Sequence, residues 1–341
     1  KDSPAAQFHV SGRPPEIPPG ATGVVVVDAG QVAMNWLALK RLVAPADCAA
    51  VVKADAYGLG VAAIVPALVR AGCTTFFVAT PDEAAEVRLL ARDSEIFVLD
   101  GAVPGSEALL DDIRAVPVLA SLAEVKAWAK GAEERRRPRP AGLNLDTGLN
   151  RLGLSEAEVL ELQRDKRTLA ALDLRLVMSH LASADDPDDP KNAAQRARFE
   201  KLKAMLPYAR ASLAASDGLM LGKTFHYDLV RPGYALYGGQ AFRGGPAPVA
   251  PAVRVAARIL QVREVPAGGT VDRGATAADG TLHRSHHPTD QPATSNNHRT
   301  LTGTRVAGRP SVRTVQPFNS DGKPASAVAL VSVDTSSLPV I

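Results

Sequence analysis

Residues 74–100 read TTFFVATPDEAAEVRLLARDSEIFVLD, and this stretch indicates the class of fold. It contains two short apolar runs, Thr74–Val78 and Glu95–Leu99, which we predict as strands. Between them lies Pro81–Leu90, which has the amphipathic spacing of a helix. A strand, a helix and a second strand in this order are typical of a parallel βαβ unit. The stretch therefore predicts an α/β protein.

The same alternation extends in both directions, from about Thr22 to Gly239. Further predicted strands are Val24–Asp28, Ala49–Lys53, Val116–Leu119, Ala141–Leu145, Leu174–His180 and Ala209–Leu213. Further predicted helices are Gln31–Leu42, Ser121–Lys130, Ser155–Arg164 and Ala193–Met205. About eight strand–helix units predict a parallel sheet closed into a (β/α)8 TIM-type barrel, and an open doubly wound sheet is the alternative.

The pattern also predicts how the chain is divided. Residues 1–20 are Pro-rich and polar, so we expect a flexible N-terminal extension. Residues 21–240 form the predicted barrel. Residues 241–341 form a smaller β-rich C-terminal domain, because Val253–Val265 alternates like antiparallel strands and Pro266–Gly269 is typical of a turn. From Arg273 to Ser326 large apolar residues are scarce, and this part is atypical of a folded domain.

Composition excludes several classes of protein. With 341 residues, 46% hydrophobic and 22% charged, the chain can bury a large core and is not disordered. Its apolar runs are shorter than the roughly 20 residues of a membrane span, so we expect no membrane segment. Only two cysteines, Cys48 and Cys73, occur, which favours a reducing compartment and a cytoplasmic location.

Charge and histidine content point to no further ligand. Between Arg273 and Ser326 seven Lys and Arg residues stand against three Asp, a surplus of +4 that exceeds the +3 of the whole chain. The body of the protein is therefore not basic, and we expect no nucleic-acid partner. Four histidines fall in the same tail, at positions 283, 286, 287 and 298. They lack cysteine partners and regular spacing, so we expect no metal site.

Val51–Gly60, with the sequence VVKADAYGLG, places Lys53 at the end of a predicted strand and before a Gly-flanked tyrosine. At the C-terminal rim of a barrel this lysine would face the usual catalytic mouth. Three further stretches follow in order: Asn144–Gly153, Met178–Asp185 and Asp228–Gly238. Together the four stretches resemble the signatures of the alanine racemases, which depend on pyridoxal 5'-phosphate (PLP). The resemblance runs from about Thr22 to Thr276.

The resemblance implies roles for residues around the cofactor ring. Lys53 holds PLP as a Schiff base and serves as one catalytic base. Arg231 faces the pyridine nitrogen, which then stays unprotonated because arginine only donates. Arg151 contacts the phenolic oxygen of the cofactor and helps to bind the substrate carboxylate. His180 lies in the polar network under the cofactor.

The resemblance also implies a phosphate site. Tyr57 hydrogen-bonds the phosphate together with Ser216 and with the backbone around Gly233 and Tyr234, where exposed N–H groups suit an anion. The implied function is interconversion of L-alanine and D-alanine, supplying D-alanine for peptidoglycan. The implied partners are the amino acid substrate and a second copy of the chain in a homodimer.

The sequence departs from the family at several positions. Asn144 stands where many relatives carry a lysine that becomes carbamylated, and Ala215 precedes Ser216 where relatives often have asparagine. The second catalytic base of the family is a tyrosine of the β-rich domain, whereas no tyrosine occurs here after Tyr237 and Arg273 occupies the expected position. The resemblance implies that the C-terminal domain is incomplete.

Two explanations of the tail and three alternative functions stay open at this point. A reading-frame error over residues 273–326 would explain its composition, and a divergent natural tail is the rival explanation; the coding DNA distinguishes them. The alternative functions are a PLP-binding barrel protein without racemase activity, a broad-specificity amino-acid racemase and a fold-related decarboxylase. Val253–Val265 argues against the first, and Arg231 argues against the last because decarboxylase relatives place a carboxylate at the pyridine nitrogen.

Overall fold

The computed structural model describes residues 17–21, 23–240 and 242–258, together with four two-residue strands and a four-residue strand further along the chain. The strands are β1 (Gly23–Val27), β2 (Asp47–Cys48), β3 (Ala50–Val51), β4 (Thr75–Val78), β5 (Glu95–Val98), β6 (Val116–Leu119), β7 (Arg139–Asn144), β8 (Leu172–Met178), β9 (Arg210–Ser212), β10 (Leu229–Val230), β11 (Val253–Arg258), β12 (Thr270–Val271), β13 (Thr276–Ala277), β14 (Leu301–Thr302), β15 (Arg313–Thr314) and β16 (Val328–Val331).

The helices follow the strands of the first part of the chain. They are α1 (Ala29–Val43), α2 (Lys53–Gly58), α3 (Val61–Arg70), α4 (Pro81–Leu90), α5 (Glu107–Asp112), α6 (Leu122–Arg135), α7 (Glu156–Arg164), α8 (Lys166–Ala170) and α9 (Pro190–Lys203). Short 3-10 helices span Asp217–Leu221, Lys223–Phe225 and Tyr234–Tyr237.

The chain divides into two compact units, and the larger comprises Asp28–Ala252. Within it β3 to β9 form one parallel sheet in sequence order. β10 pairs in parallel with β2, and the Val51 amide donates to Pro232 O at 2.9 Å. On its other side this segment contacts the end of β9, because the amide of Arg231 donates to Ala214 O at 3.0 Å. These bonds close the sheet into a ring, which confirms the predicted (β/α)8 barrel and excludes the open sheet.

The order of the strands corrects one prediction. Val24–Asp28 was expected among the barrel strands, but β1 pairs antiparallel with β11, outside the unit Asp28–Ala252. The eighth position of the ring is taken by β10, which has only two residues and therefore too short an apolar run to detect from sequence. The domain ranges 21–240 and 241–341 stay a prediction.

Inward-facing apolar side chains fill the barrel, as in other small closed sheets. The buried cluster comprises Ala49, Val51, Phe77, Phe97, Val116, Val118, Leu176, Met178 and Leu229, with Tyr57 and Leu99 packed against it. The rings of Phe77 and Phe97 stack with centroids 4.8 Å apart. The interior is thus a solid core, and polar chemistry is confined to the ends of the strands.

Local sequence explains where the helices begin. Thr80 caps α4 by accepting a hydrogen bond from the Glu83 amide at 3.2 Å, and Pro81 occupies the first helical position. Ser155 and Glu158 form a capping box at the start of α7. Each cap follows a barrel strand, so helix starts gather at the rim where parallel strands end.

The second unit contains, among the described residues, a three-stranded antiparallel sheet in the order β1, β11, β16. β12 pairs with β13 and β14 pairs with β15, both antiparallel. The observed β11 confirms strand structure within the predicted Val253–Val265. Three predictions concern residues that the structure does not describe. They are those on residues 1–16, on the four tail histidines and on most of residues 273–326.

Two further properties concern the described part alone. No helix in it combines the length and apolarity needed to cross a bilayer. Cys48 and Cys73 are both buried and not joined to each other. Burial raises the pKa of the Cys73 thiol to about 12, so it stays protonated and unreactive near neutral pH.

Candidate active site at the carboxyl rim of the barrel

Lys53 lies two residues after the end of β3, at the rim where the carboxyl ends of the strands meet. The strand end is fixed on both sides. The amide of Val52 donates to Phe77 O at 2.8 Å, and the amide of Val51 donates to Pro232 O at 2.9 Å. Lys53 is half-buried there, in the position where barrel enzymes hold their catalytic groups.

The four residues after Lys53 form a left-handed turn. Ala54, Asp55, Ala56 and Tyr57 have φ between 52 and 60° and ψ between 33 and 51°. For residues other than glycine this conformation costs roughly 1–2 kcal/mol each and seldom occurs in consecutive residues. A strained run of this kind is retained only where the surroundings fix it, and such runs cluster at functional sites. The sequence analysis made no prediction for the conformation of these four residues.

Tyr57, Gly233 and Ser216 converge from three separate segments. A Cβ atom added at Gly233 would lie 2.1 Å from Tyr57 Oη, so only glycine leaves room for the hydroxyl. The amides of Gly233 and Ala235 both donate to Ser216 Oγ at 3.1 Å. Burial raises the pKa of Tyr57 to about 12, so its hydroxyl remains a proton donor at neutral pH. The three segments together form a cradle of donors.

Tyr234 lies beside this cradle, and its predicted role in the phosphate site stays a prediction. The amides that converge on Ser216 belong to Gly233 and Ala235. The ring of Tyr234 lies against Gly239, where an added Cβ would be 2.3 Å from Cε1. The ring of Tyr237, in turn, lies 5.0 Å from that of Tyr57 and supports it from below.

Arg231 is a buried cation at the start of the loop after β10, with 3% of its surface exposed. It donates to Ser212 Oγ and, at 2.6 Å, to Ser179 O. Within the described residues no carboxylate pairs with it. Burial lowers the pKa of Arg231 to about 9, so the guanidinium still carries its charge at pH 7. Phe77 lies beneath it, with the ring centroid 5.9 Å from the guanidinium carbon.

His180 follows β8 and lies among three cations. Burial lowers its pKa first, and the charges of Arg231, Arg151 and Lys53 lower it further, to about 3. The imidazole is therefore neutral at pH 7, and the four side chains are close enough to influence one another. Burial and the neighbouring cations together set the charge state of His180.

Arg151 is exposed on the loop that follows β7. Asp146 shapes this loop, because its Oδ1 accepts from the amides of Gly148 at 2.9 Å and Asn150 at 3.0 Å. Asn144 donates from its side-chain amide to Leu152 O at 3.2 Å. Asn144 thus supports the loop that carries Arg151.

Several residues of the site escaped the sequence analysis. Ser179 and Ser212 lie at strand ends and hold Arg231. Asp100 follows β5, and burial first and the charge of Glu83 second raise the pKa of its carboxyl, while the charge of Lys53 opposes the rise. The available signal was position, since each of these residues comes at or just after the end of a predicted strand.

A separate cavity of about 490 Å³ lies at the opposite pole, lined by five arginines and by Asp93, Ser94 and Glu95. Most of its arginines already make hydrogen bonds or ion pairs within the fold. Arg88 donates to carbonyl groups that include Ile113 O at 2.7 Å, and Arg210 pairs with Glu95. The cavity opens at the amino ends of the strands, away from Lys53, and it is not part of the candidate site.

Known proteins share this architecture and sequence. Residues 27–241 match the family model described as alanine racemase, N-terminal domain. An alanine racemase of Rhodospirillum rubrum is 46% identical over 258 residues, which are 75% of this chain and 69% of that protein. A biosynthetic alanine racemase of Agrobacterium fabrum is 44% identical over 252 residues, 74% of this chain and 64% of that protein.

Solved structures agree. The alanine racemase of Bartonella henselae, which carries covalently bound pyridoxal phosphate, superposes with a TM-score of 0.69 at 29% identity, over 92% of this chain and 85% of that one. The biosynthetic alanine racemase of Pseudomonas aeruginosa also has a TM-score of 0.69, at 28% identity, over 91% of this chain and 86% of that one. A family model that spans most of the chain, relatives above 40% identity and a shared barrel lead to one conclusion. The chain belongs to the alanine racemase family.

Proposed function

We propose that this protein is a PLP-dependent alanine racemase that interconverts L-alanine and D-alanine, a source of D-alanine for peptidoglycan. The observation that carries the proposal is the grouping at the barrel rim. A half-buried lysine, a cradle of donors and a buried arginine without a carboxylate partner in the described part lie at the ends of neighbouring strands.

The residues present fit a phosphorylated pyridine cofactor. Tyr57 Oη, Ser216 and the backbone around Gly233 and Tyr234 would supply the donors for a phosphate, at the place where the amides of Gly233 and Ala235 now donate to Ser216 Oγ. Arg231 would face the ring nitrogen as a donor only. The cofactor, when bound, supplies an electron sink for the pair left behind when the substrate loses its α-proton.

Each residue of the site would then have a separate role in the reaction. Lys53 Nζ would anchor the cofactor and, once displaced by substrate, would remove or return the α-proton on one face. Arg151 would pair with the substrate carboxylate in the two-point geometry that guanidinium allows. Arg231, cationic at pH 7, would keep the ring nitrogen unprotonated and so limit side reactions. His180, neutral at pH 7, would contribute hydrogen bonds without adding charge.

We expect Gly233→Ala to weaken cofactor binding by at least about tenfold, equivalent to losing one charge-assisted hydrogen bond. The backbone at Gly233 has φ −122°, outside the left-handed region, and an added Cβ would meet the phenol of Tyr57 first and then Val51 Cβ at 3.2 Å. The measurement is a fluorescence titration of apo-protein with pyridoxal phosphate. Gly30→Ala, on the exposed start of α1, is the matched control, and equal dissociation constants for the two variants would contradict the cradle.

A second candidate function rests on one observation, the lack of any tyrosine after Tyr237. Racemisation needs a proton removed on one face and returned on the other, so a second base is required in addition to Lys53. A barrel that binds the cofactor and lacks this base would exchange the α-proton on one face only. That protein would be a cofactor-binding barrel without racemase activity.

Solvent-deuterium exchange distinguishes the two candidates. L-alanine and D-alanine are supplied separately to cofactor-loaded protein in D2O, and both label and chirality are recorded. We expect exchange with inversion from each enantiomer if a second base operates. Exchange of one enantiomer with retention would support the one-base barrel instead. Repeating the assay with other amino acids shows whether the enzyme is a broad-specificity racemase.

We further propose a homodimer in the cytoplasm. The support for the dimer is the resemblance, in which the second base comes from the partner subunit. The support for the location is that both cysteines are buried and unjoined, as expected in a reducing compartment. Light scattering of purified holo-protein measures the oligomeric state.

A further inference from the structure

Glu83 lies at the third position of α4, beside the left-handed turn that follows Lys53. Its own backbone is fixed, because its amide donates to the capping Thr80 Oγ1 and Pro81 starts the helix. The Glu83 side chain is half-buried and therefore leaves the helix from a defined place at the rim.

The carboxylate of Glu83 joins the ends of two neighbouring strands. Oε1 accepts from the amide of Ala54 at 2.8 Å, and Oε2 accepts from the amide of Ala79 at 2.7 Å. Ala54 is the first residue of the left-handed turn, and Ala79 directly follows β4. One carboxylate thus ties the start of the turn to the fixed end of the adjacent strand.

The other bonds of the turn are local. Ala56 N donates to Val52 O at 2.9 Å, and at the far end Asp55 Oδ1 accepts from the amide of Val61 at 2.7 Å. These bonds lie within residues 52–61, whereas the bond to Glu83 reaches a separate helix. Four consecutive residues at positive φ are intrinsically unfavourable, so an external contact of this kind decides how much of the time the turn is formed.

Glu83 also belongs to a group of charged side chains that includes Asp100 and Lys53. Asp100, at the end of β5, lies close enough to both Glu83 and Lys53 for their charges to act on it. The three groups therefore occupy one part of the rim.

We propose that Glu83 is a positioning residue for the cofactor site: it holds the left-handed turn so that Lys53 and Tyr57 reach the cofactor from fixed places. The inference rests on the proposed role of Lys53 and extends it. A site that is correctly formed only part of the time binds with an affinity reduced by that fraction. Glu83 would thus act on cofactor binding without touching the cofactor.

The chain offers a matched control in Glu124. This residue occupies the equivalent place in α6, where Oε1 accepts from the Ala102 amide and Oε2 from the Ala120 amide, both at 2.8 Å. It joins two other rim loops by the same geometry, and neither loop contains Lys53 or a positive-φ run of ordinary residues. Glu83→Ala and Glu124→Ala therefore remove equivalent bonds from different loops.

The test compares both variants with the parent protein by three measurements: the dissociation constant for pyridoxal phosphate, the visible circular dichroism of bound cofactor, and the thermal unfolding of apo-protein. We expect the Glu83→Ala dissociation constant to rise about ten- to a hundredfold, with loss of most of the cofactor dichroism. Glu124→Ala should lower thermal stability to a similar degree and leave both cofactor signals unchanged. Glu83→Gln, which keeps one acceptor, should fall between parent and alanine variant.

A rescue separates positioning from simple helix capping. Glycine adopts positive φ without penalty, so adding Ala54→Gly to Glu83→Ala should restore much of the lost affinity, although the α4 contact stays broken. Equal cofactor signals in Glu83→Ala and Glu124→Ala would overturn the inference, and so would a double variant with no recovery. Failure of the proposed function is a distinct result, because borohydride would then label no Lys53 peptide in the parent protein.

Discussion

Lys53→Ala should abolish the covalent attachment of cofactor and lower racemisation by on the order of 10³-fold or more. Both functions proposed for the side chain depend on its amine, and an alanine can neither form the bond nor carry a proton. The measurement is borohydride reduction followed by mass mapping of the labelled peptide, together with the visible spectrum. In the parent protein we expect the label on the peptide that contains Lys53.

The matched control is Lys126→Ala. Lys126 is an exposed lysine that pairs with Glu161 on a neighbouring helix, away from the rim. Its removal should leave label, spectrum and rate unchanged. A labelled cofactor band that persists in Lys53→Ala would show that another lysine is the anchor.

Arg231→Glu should raise the proportion of transamination side product by about tenfold or more. A carboxylate near the ring nitrogen stabilises its protonated form, and a nearby opposite charge shifts a pKa by about 1–3 units. A protonated ring withdraws electrons more strongly. The abstracted proton then returns more often to the cofactor and less often to the α-carbon of the substrate. The ratio of pyruvate and aminated cofactor to racemised alanine, followed by chromatography, measures the effect.

Two further variants keep this prediction interpretable. Arg231 is buried and bonds Ser212 Oγ and Ser179 O, so its replacement also removes two charge-assisted hydrogen bonds. Arg231→Lys retains the charge and Arg231→Gln removes it without adding a carboxylate. Both should lose stability, by about 1.5–3 kcal/mol for each hydrogen bond lost, yet neither should raise the side-product ratio as Arg231→Glu does. An unchanged ratio in folded Arg231→Glu would contradict the placement of Arg231 at the ring nitrogen.

The barrel could be predicted from the sequence because the hydrophobic periodicity of each segment indicates which of its residues are buried. Predicted Pro81–Leu90 coincides with α4, and seven of the predicted strands overlap β3 to β9. It failed where pairing partners are distant in sequence. β1 has the composition of a barrel strand, and only its antiparallel pairing with β11 shows where it belongs.

The candidate site was predictable in composition and not in conformation. Lys53, Arg231 and His180 were predicted through their motifs, and each lies at a strand end. The left-handed conformation of residues 54–57 could not be predicted. Glycine is the usual sequence signal for positive φ, and none of these four residues is a glycine. Glu83 was missed for a related reason: its partner Ala54 is 29 positions away, and the contact depends on the turn.

The closure of the ring also sets an order of events during synthesis and refolding. Tyr237 donates to Val51 O across 186 positions, and β10 docks beside β2 over a comparable separation. Contacts between residues so far apart in sequence form late, because the entropy of closing a large loop is lost before the contacts stabilise the fold. Lys53 emerges early from the ribosome, yet Arg231 and Gly233 join it only when the last segment seals the ring. A barrel truncated before β10 therefore lacks Arg231 and Gly233, two of the residues proposed to hold the cofactor beside Lys53.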